Sequence, residues 1–452
     1  MNIIIAGGGK VGAILTRQLA AEGHDLTLID VDSNVLSATA EHYDTMAISG
    51  NCASMEVLRQ AGVENADLLI AVTNADEMNL LCCTTAHGLN PKLHTIARIR
   101  NPEYTEQIYK MRDIFGLSMA INPEKQAADE IYRLLKYPGF LRRDTFAKGR
   151  TEIVELRIDS KSKLCDVSLN DLRSIINCKV LVCAVLRNGT AMVPSGNFVL
   201  RSGDRLFVTA LAENMTILLK SLGIITRRVH RVILCGGGRV SYYLAQSLEK
   251  DGIAVKLIDY NRDQCESLAE RLPKSTIVCG DCTNQELLEG EGLGDADALV
   301  TLTGLDELNM IVSLYGRSRN VPQVITKLGH ADNRTIIDAL DIGSVVCPKE
   351  LCCNQIVRYV RAMKNQIGAA VSVHAIADGQ AEALEFLVDK HSEYIGVALK
   401  NIKLKPNVLL VSISHGAATE IPNGESMFQP GDTVVVVTNG RGLLGQLNDI
   451  FE

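Results

Sequence analysis

A glycine-rich turn near the N-terminus constrains the fold more than any other stretch. The apolar run Asn2 to Ala6 indicates a buried strand, helix-forming residues follow the turn, and the turn itself consists of Gly7, Gly8, Gly9, Lys10, Val11 and Gly12. In the G-x-G-x-x-G spacing the first glycine turns the chain, the second lets a pyrophosphate approach the backbone, and the third lets the helix pack on the strand. We therefore predict a nucleotide site at the start of a doubly wound α/β sheet.

An acidic residue at the end of the second strand supports this prediction. Leu26 to Ile29 is apolar and ends in Asp30, about 20 residues after the glycines, where a carboxylate meets a ribose 2′-hydroxyl. The N-terminus of the helix after the turn presents free N–H groups to phosphates. Asp30 is expected to repel a 2′-phosphate, which favours NAD over NADP.

The same pattern occurs a second time. The predicted strand Arg231 to Leu234 leads into a second turn, a helical stretch to Glu249 and a strand that ends in Asp259; the turn consists of Gly236, Gly237, Gly238, Arg239, Val240 and Ser241. The two copies keep step, since 236 − 7 and 259 − 30 both equal 229. The chain is therefore a tandem duplication with two predicted nucleotide sites. Ser241 replaces the third glycine, and its Cβ is expected to push helix and strand slightly apart and to loosen the second site.

The ends of the predicted strands nominate further ligand residues, because ligands of such sheets bind beyond the carboxyl ends of the strands. A cation at this edge can neutralise a phosphate, and arginine can do so through two hydrogen bonds. For Thr73 and Asn74, ordinary loop capping is the alternative interpretation. The residues nominated are Gly7, Asp30, Asn51, Thr73, Asn74 and Arg98 in the first copy, and Gly236, Asp259, Asp281, Thr303 and Lys327 in the second.

Composition narrows the functional classes. The chain has 452 residues, is 46% hydrophobic and carries a net charge of −7 without a basic run, so we expect a globular protein that does not bind nucleic acid. No stretch reaches the roughly 18 uncharged apolar residues needed to cross a bilayer, so no direct membrane insertion is expected. The 13 scattered cysteines suit reduced thiols in a cytosol. Cys279 and Cys282 form a C-x-x-C without a second pair at zinc spacing, and we predict no metal site.

Each predicted Rossmann-like lobe is followed by a stretch of short strands and turns. The predicted domains are Rossmann nucleotide-binding lobe 1 at 1–140, small α+β lobe 1 at 141–226, Rossmann nucleotide-binding lobe 2 at 227–367 and small α+β lobe 2 at 368–452. The sheet of the first lobe is expected to end with its fifth strand, His94 to Ala97. The apolar helices that follow, Glu124 to Leu135 and Pro348 to Lys364, are predicted to be linkers or oligomer contacts.

No catalytic residue is predicted. A nicotinamide dehydrogenase needs a proton donor in a closed cleft, and the partner lobes here are small. His24, His42, His87 and His94 have no matching histidine in the second copy, and no P-loop or zinc-protease motif is present. The sites are therefore expected to bind and not to react. Two alternatives remain open: an NAD-dependent oxidoreductase, and a ligand-sensing regulator of another transporter whose small lobes hold a second effector.

Several motifs together resemble the TrkA family, the cytosolic regulatory subunits of Trk-type potassium uptake, over essentially the whole chain. They are GGGKVG from Gly7, LIDVD to Asp32, the segment from Gly50 through ADLLIAVTNADEMN, ARIRNP from Ala97, and the P-x-G and G-D pattern of the small lobes. The resemblance implies two RCK (KTN) domains that bind NAD(H) and ATP or ADP. It adds Gly8 to Val11 and Gly237 to Val240 to the nucleotide residues.

The resemblance also implies partners and a location. A homo-oligomer, either a dimer or a four-chain ring, would control a membrane potassium-translocating subunit of the TrkH or TrkG type, with the chain cytoplasmic and peripheral at the inner face of the membrane. Lys10, Arg98 and Arg239 are the residues expected to distinguish a triphosphate from a diphosphate. Asn51 departs from the acidic residue that Asp281 retains, so one ribose or adenine contact in the first site is expected to differ.

Overall fold

The computed structural model describes residues 1–40, 42–136, 142–158, 162–176, 178–211, 214–221, 229–329, 340, 342–363, 370–377, 380–439 and 446–452. Within them the chain forms two six-stranded and two five-stranded sheets. The predicted domain boundaries at 140/141, 226/227 and 367/368, and the predicted helix end at Lys364, lie outside the described residues. No helix in the described ranges is both long and apolar enough to span a membrane.

The first six-stranded sheet has the strand order β3-β2-β1-β4-β5-β6, with all strands parallel. Its central strand is buried on both faces because helices cover both sides of the sheet. The elements are β1 (Asn2–Ala6), α1 (Lys10–Ala21), β2 (Asp25–Asp30), α2 (Ser33–Ala40), β3 (Thr45–Ser49), α3 (Met55–Gln60), β4 (Leu68–Ala71), α4 (Asp76–Leu89), β5 (His94–Arg98), α5 (Pro102–Met111), β6 (Met119–Ile121) and α6 (Pro123–Lys136). The strand order reverses beside β1, at the place where the glycine turn lies.

The second six-stranded sheet repeats this topology in the order β14-β13-β12-β15-β16-β17. The prediction that the sheet ends at the fifth strand was wrong, because β6 and β17 add a sixth parallel strand in each copy. The elements are β12 (Arg231–Cys235), α9 (Arg239–Lys250), β13 (Ala254–Asp259), α10 (Arg262–Arg271), β14 (Thr276–Cys279), α11 (Gln285–Gly290), β15 (Ala298–Thr301), α12 (Asp306–Ser318), β16 (Gln323–Lys327), β17 (Ser344–Val346) and α13 (Pro348–Met363).

The two small lobes are antiparallel five-stranded sheets of matching order, β10-β9-β11-β8-β7 and β18-β19-β22-β20-β21. The sequence of the first small lobe also predicts a strand from Asn197 to Leu200, and this prediction is wrong, since Val199 makes only an isolated bridge to Ser168. The first lobe contains β7 (Arg142–Phe146), β8 (Thr151–Arg157), α7 (Leu172–Ile175), β9 (Val180–Arg187), β10 (Thr190–Met192), β11 (Arg205–Leu211) and α8 (Met215–Ser221). The second contains β18 (Ala370–Ile376), β19 (Ala381–Leu387), β20 (Val408–His415), β21 (Ala418–Glu420) and β22 (Thr433–Thr438).

The two small lobes pack against each other through an apolar face. Phe146 and Phe207 of the first lobe share one buried cluster with Val411 and Val435 of the second. Polar groups also cross this contact, because the hydroxyls of Thr151 and Ser412 lie 2.7 Å apart. The duplication has therefore produced an internal pair of small lobes within a single chain.

Two helices are exchanged between the Rossmann-like lobes. Helix α6 leaves the first sheet and packs on α9 of the second, while α13 leaves the second sheet and packs on α1 of the first. The Cys353 thiol on α13 donates to the carbonyl oxygen of Val11 at 3.8 Å, and Arg361 forms an ion pair with Glu22. These are the helices predicted to be linkers or oligomer contacts; in the structure they join the two copies within the chain.

Candidate nucleotide-binding sites

The first glycine turn has the geometry that its sequence predicts. Gly7 has a φ of +106°, and a Cβ there would lie 2.9 Å from the Thr73 nitrogen, so only glycine fits without strain. A Cβ at Gly12 would lie 1.9 Å from the Gly7 carbonyl oxygen. A Cβ at Gly9, in contrast, would meet no atom within 4 Å. The turn is therefore closed below by the sheet and open above its middle glycine, where a phosphate could approach the N-terminus of α1.

The second turn repeats these features with one change. Gly236 has a φ of +104°, and the space above Gly238 is open to the same distance of 4 Å. At the position of the third glycine, the buried Ser241 hydroxyl donates a hydrogen bond to the Gly236 carbonyl oxygen. The Ser241 side chain lies close to the Gly236 carbonyl oxygen and gives it a hydrogen-bond donor. The weaker second site that the sequence suggested stays a prediction.

Each predicted ribose carboxylate also holds its own glycine turn. Asp30 Oδ2 accepts the Gly8 N–H at 2.6 Å, and Asp30 Oδ1 accepts the Asp32 N–H at 2.9 Å. In the second copy Asp259 Oδ2 accepts the Gly237 N–H at 2.6 Å. A carboxylate oxygen can accept more than one hydrogen bond, so both groups keep acceptor capacity for a ligand hydroxyl. In each copy, the end of the second strand and the glycine turn beside it are thus held to each other by this carboxylate.

The remaining predicted residues lie along the same edge of the sheets. Asn51 and Asp281 are exposed and cap their own loops, through Ala53 N–H at 3.0 Å and Thr283 N–H at 2.9 Å. Lys10 and Arg239 are exposed at the first residue of α1 and α9. Val11 and Val240 are 4% and 5% exposed, so their side chains belong to the core and only their main-chain atoms face the turn.

One buried asparagine completes each site, Asn79 in the first and Asn309 in the second, and the sequence analysis nominated neither. Asn79 Oδ1 accepts the Thr73 N–H at 2.8 Å and the Thr73 hydroxyl at 2.7 Å, and its Nδ2 donates to Thr73 O at 3.2 Å and to Arg98 O at 2.8 Å. Asn309 makes the same four bonds to Thr303 and Lys327. The signal was present in the sequence, because both asparagines occupy matching places in the two copies.

The cations at the ends of β5 and β16 are more buried than expected. Arg98 is 8% exposed; its Nη2 donates to the Thr73 carbonyl oxygen at 2.5 Å, and its Nε has no hydrogen-bond partner in the described residues. Lys327 Nζ donates to Leu302 O at 3.2 Å. Burial lowers the pKa of both side chains, and a neighbouring cation, Arg100 or Lys349, acts in the same direction. Arg98 therefore braces the Thr73 loop, and Asn74 lies exposed beyond it.

Glu124 lies at the start of the exchanged helix α6, near cations of both copies. Burial raises the pKa of its carboxyl group, while Arg100, Arg239 and Arg98 act in the opposite direction. Its Oε2 atom is buried and has no hydrogen-bond partner among the described residues. Because Arg239 begins α9 of the second lobe, this carboxylate links the electrostatics of the two candidate sites.

In the part of the chain that the structure describes, no three His, Cys, Asp or Glu side chains are grouped closely enough to hold a metal ion. The C-x-x-C pair is split, since Cys279 is exposed and Cys282 is buried.

Comparisons with known proteins agree with this architecture. The family model described as the TrkA-N domain matches residues 3–123 and 232–348, and the TrkA-C domain model matches residues 153–223 and 383–447. A Trk system potassium uptake protein TrkA homolog from Archaeoglobus fulgidus is 32% identical over 96% of this chain and 97% of its own length. The Trk system potassium uptake protein TrkA from Halomonas elongata is 29% identical over 100% of this chain and 99% of its own.

A solved structure shares the fold at low sequence identity. The GsuK channel bound to NAD superposes with a TM-score of 0.62 at 17% identity, over 97% of this chain and 76% of that one. The matching Rossmann-like and small lobes, in the same tandem order, follow the family models along nearly the whole sequence. The chain therefore belongs to the TrkA family of potassium uptake proteins.

Proposed function

We propose that this chain is a nucleotide-binding regulatory subunit that gates a membrane potassium-uptake protein. NAD(H), ATP or ADP would bind both Rossmann-like lobes and change their relative arrangement. One observation carries the proposal: two open glycine turns, each fixed to an acidic strand end, lie in lobes that exchange α6 and α13. A change of shape at one turn has a direct path to the other lobe, because each exchanged helix packs on the helix that begins at the other copy's turn.

The ligand residues of this proposal are the predicted ones, together with Asn79 and Asn309. Phosphates would lie over Gly9 and Gly238, where the backbone is open, and near the exposed Lys10 and Arg239. The ribose would meet Asp30 or Asp259. Arg98 and Lys327 would contribute positive charge from below the surface of the site, because carbonyl oxygens hold both side chains there. Thr73 and Thr303 are capped by the buried asparagines, which combines loop capping with the predicted ligand role.

The names of the relatives support the proposed membrane partner. Both carry the name of a potassium uptake protein, and the structural neighbour is a channel bound to NAD. We propose a cytoplasmic location at the inner face of the membrane, through a potassium-translocating subunit of the TrkH or TrkG type. Switching that partner from about 1% to 99% open needs a differential affinity of about 5.5 kcal/mol between the two shapes, which several coupled sites can share.

A homo-oligomer is part of the same proposal. Leu81 on α4 and Ile311 on α12 are 54% and 59% exposed, and they occupy equivalent positions of the two copies. Leu305 and Leu314 extend the exposed apolar surface around α12. Equivalent apolar faces on both halves of a pseudo-symmetric chain suit contact with a second copy in a dimer or a four-chain ring. Light scattering of Leu81→Lys and Ile311→Lys should show smaller particles than the unmodified protein.

The ligand test is a calorimetric titration of the purified chain with ATP, ADP, NADH and NADP. We expect two sites per chain that accept ATP, ADP or NADH and reject NADP. Asp30→Asn keeps an oxygen for the Gly8 N–H but removes the charge, so it should admit NADP at the first site. Asp25→Ala is the matched control, because Asp25 begins the same strand at the opposite edge and alanine stands at the equivalent position, Ala254.

Absence of binding by all four nucleotides would refute the proposed ligands, and NADH binding unchanged in Asp30→Ala would refute the role of that carboxylate. Gating is tested separately by potassium flux into vesicles that contain the membrane partner, with and without the chain and each nucleotide. If the flux responds to the chain but not to any nucleotide, the proposed role as a regulatory subunit stands and the proposed control by nucleotides is refuted.

A further inference from the structure

Two cysteines lie together beside the second candidate site. Cys265 is on α10 and is 6% exposed, and Cys279 ends β14 and is exposed. The Cys265 thiol donates to the Asp259 carbonyl oxygen at 3.3 Å, and the Cys279 thiol donates to the adjacent Tyr260 carbonyl oxygen at 4.0 Å. Burial, together with the neighbouring Cys279 thiol, raises the pKa of the Cys265 thiol to about 11. The two thiols therefore lie against the carbonyl oxygens of adjacent residues, Asp259 and Tyr260, beside each other at the carboxyl edge of the sheet.

We propose that Cys265 and Cys279 form a reversible disulfide that weakens nucleotide binding at the second site alone. Cys279 is the accessible thiol and Cys265 the buried resolving thiol. The register of the sheet makes the device specific to this copy, because Cys279 pairs with Asp259 and its counterpart Ser49 pairs with Asp30. The first copy, with Ser49 and Leu36 at the two positions, cannot form the bond.

The oxidant of this proposal is a peroxide. The Cys279 thiolate attacks the O–O bond, which gives a sulfenic acid at Cys279 and releases hydroxide. The Cys265 sulfur then attacks the sulfenic sulfur, its proton and the hydroxyl group leave as water, and the S–S bond forms. The two sulfur atoms lose two electrons in total, and the peroxide is reduced. A dithiol reductant restores both thiols by exchange through a mixed disulfide.

The path from the disulfide to the site runs through α10. The Asp259 carbonyl oxygen accepts both the Cys265 thiol and the Gly280 N–H at 2.8 Å, and the Asp259 side chain holds the Gly237 N–H. One residue before Cys265 on the same helix, Gln264 Nε2 donates to the Gly237 carbonyl oxygen at 2.8 Å. Drawing Cys265 toward Cys279 removes the S–H donor and shifts the start of α10. Both hydrogen bonds that hold Gly237, one from the Asp259 carboxylate and one from Gln264, are then weakened.

The covalent part is tested by mass spectrometry of the full chain treated with hydrogen peroxide and then digested without reduction. We expect a peptide pair linked through Cys265 and Cys279, absent after dithiothreitol and absent from Cys265→Ser and Cys279→Ser. Cys165→Ser is the matched control, because Cys165 is a partly exposed thiol of the small lobe. A chain in which Cys279 carries a sulfinic acid or an adduct while Cys265 stays a thiol would overturn the proposal.

The functional part rests on the proposed nucleotide binding and uses the first site as an internal reference. Oxidised and reduced protein are titrated with NADH and ATP. We expect at least a tenfold weaker second site after oxidation, an unchanged first site, and no effect of peroxide on Cys279→Ser. A linked peptide with unchanged second-site affinity would refute the regulatory role. A linked peptide in a chain that binds no nucleotide in either state would refute the proposed ligands and the regulatory role, but not the disulfide.

Discussion

The buried Asn79 offers a sharp test of how the site is held together. Replacing Asn79 with alanine removes four hydrogen bonds and leaves the Thr73 N–H, the Thr73 carbonyl and the Arg98 carbonyl without this partner. At roughly 1 kcal/mol for each bond, the local loss is about 4 kcal/mol. Asn79 is fully buried, so water does not replace the lost bonds without opening the loop.

A single free energy of unfolding is poorly defined for a chain with several lobes, so the measurement is amide hydrogen exchange. The Thr73 amide should exchange roughly a thousandfold faster in Asn79→Ala, the rate equivalent of about 4 kcal/mol. Asn309→Ala is the matched control, because it should have the same effect at Thr303 and none at Thr73. Asn79→Asp should keep more protection at Thr73, since it retains an acceptor. Acceleration of less than tenfold in Asn79→Ala would refute this account of the loop.

Two further predictions concern the third glycine and the small lobe. Gly12→Val should destabilise the first lobe by about 1–3 kcal/mol through the clash with the Gly7 carbonyl oxygen. Gly12→Ser should destabilise it less, because Ser241 shows the hydrogen bond that compensates; amide hydrogen exchange of α1 in both variants measures the difference. Asp204→Asn should destabilise the first small lobe by about 3 kcal/mol at neutral pH, because the buried carboxylate accepts hydrogen bonds from Arg187 Nε at 2.8 Å and Nη2 at 2.7 Å. Burial acts to raise the pKa of Asp204, but hydrogen bonds from Arg187 and the Arg201 N–H outweigh it and lower that pKa. The stabilisation is therefore present above the ordinary carboxyl pKa and is lost as pH falls through the lowered value; melting temperatures of the two proteins that do not converge on acidification would contradict the ion pair.

The local parts of each site followed directly from the sequence. Gly7, Asp30 and the helix after the turn are neighbours in a strand–turn–helix–strand unit, and the backbone demands of that unit leave a recognisable spacing. The recurrence of this spacing in the second copy then revealed the duplication and the tandem order of the lobes. The sixth strands escaped the sequence analysis because β6 and β17 are only three residues long and carry little periodic signal.

The sequence by itself determined two glycine turns, their acidic partners and the family to which the chain is similar, because the strand–turn–helix–strand unit leaves residues of fixed type at fixed spacing. Only the tertiary structure decided that α6 and α13 cross to the opposite copy, that Asn79 holds Thr73 to Arg98, and that the Cys265 and Cys279 thiols lie against adjacent carbonyl oxygens. The exchanged helices pack on elements that are far away in the chain, and the direction in which a buried polar side chain points depends on the packing of all its neighbours.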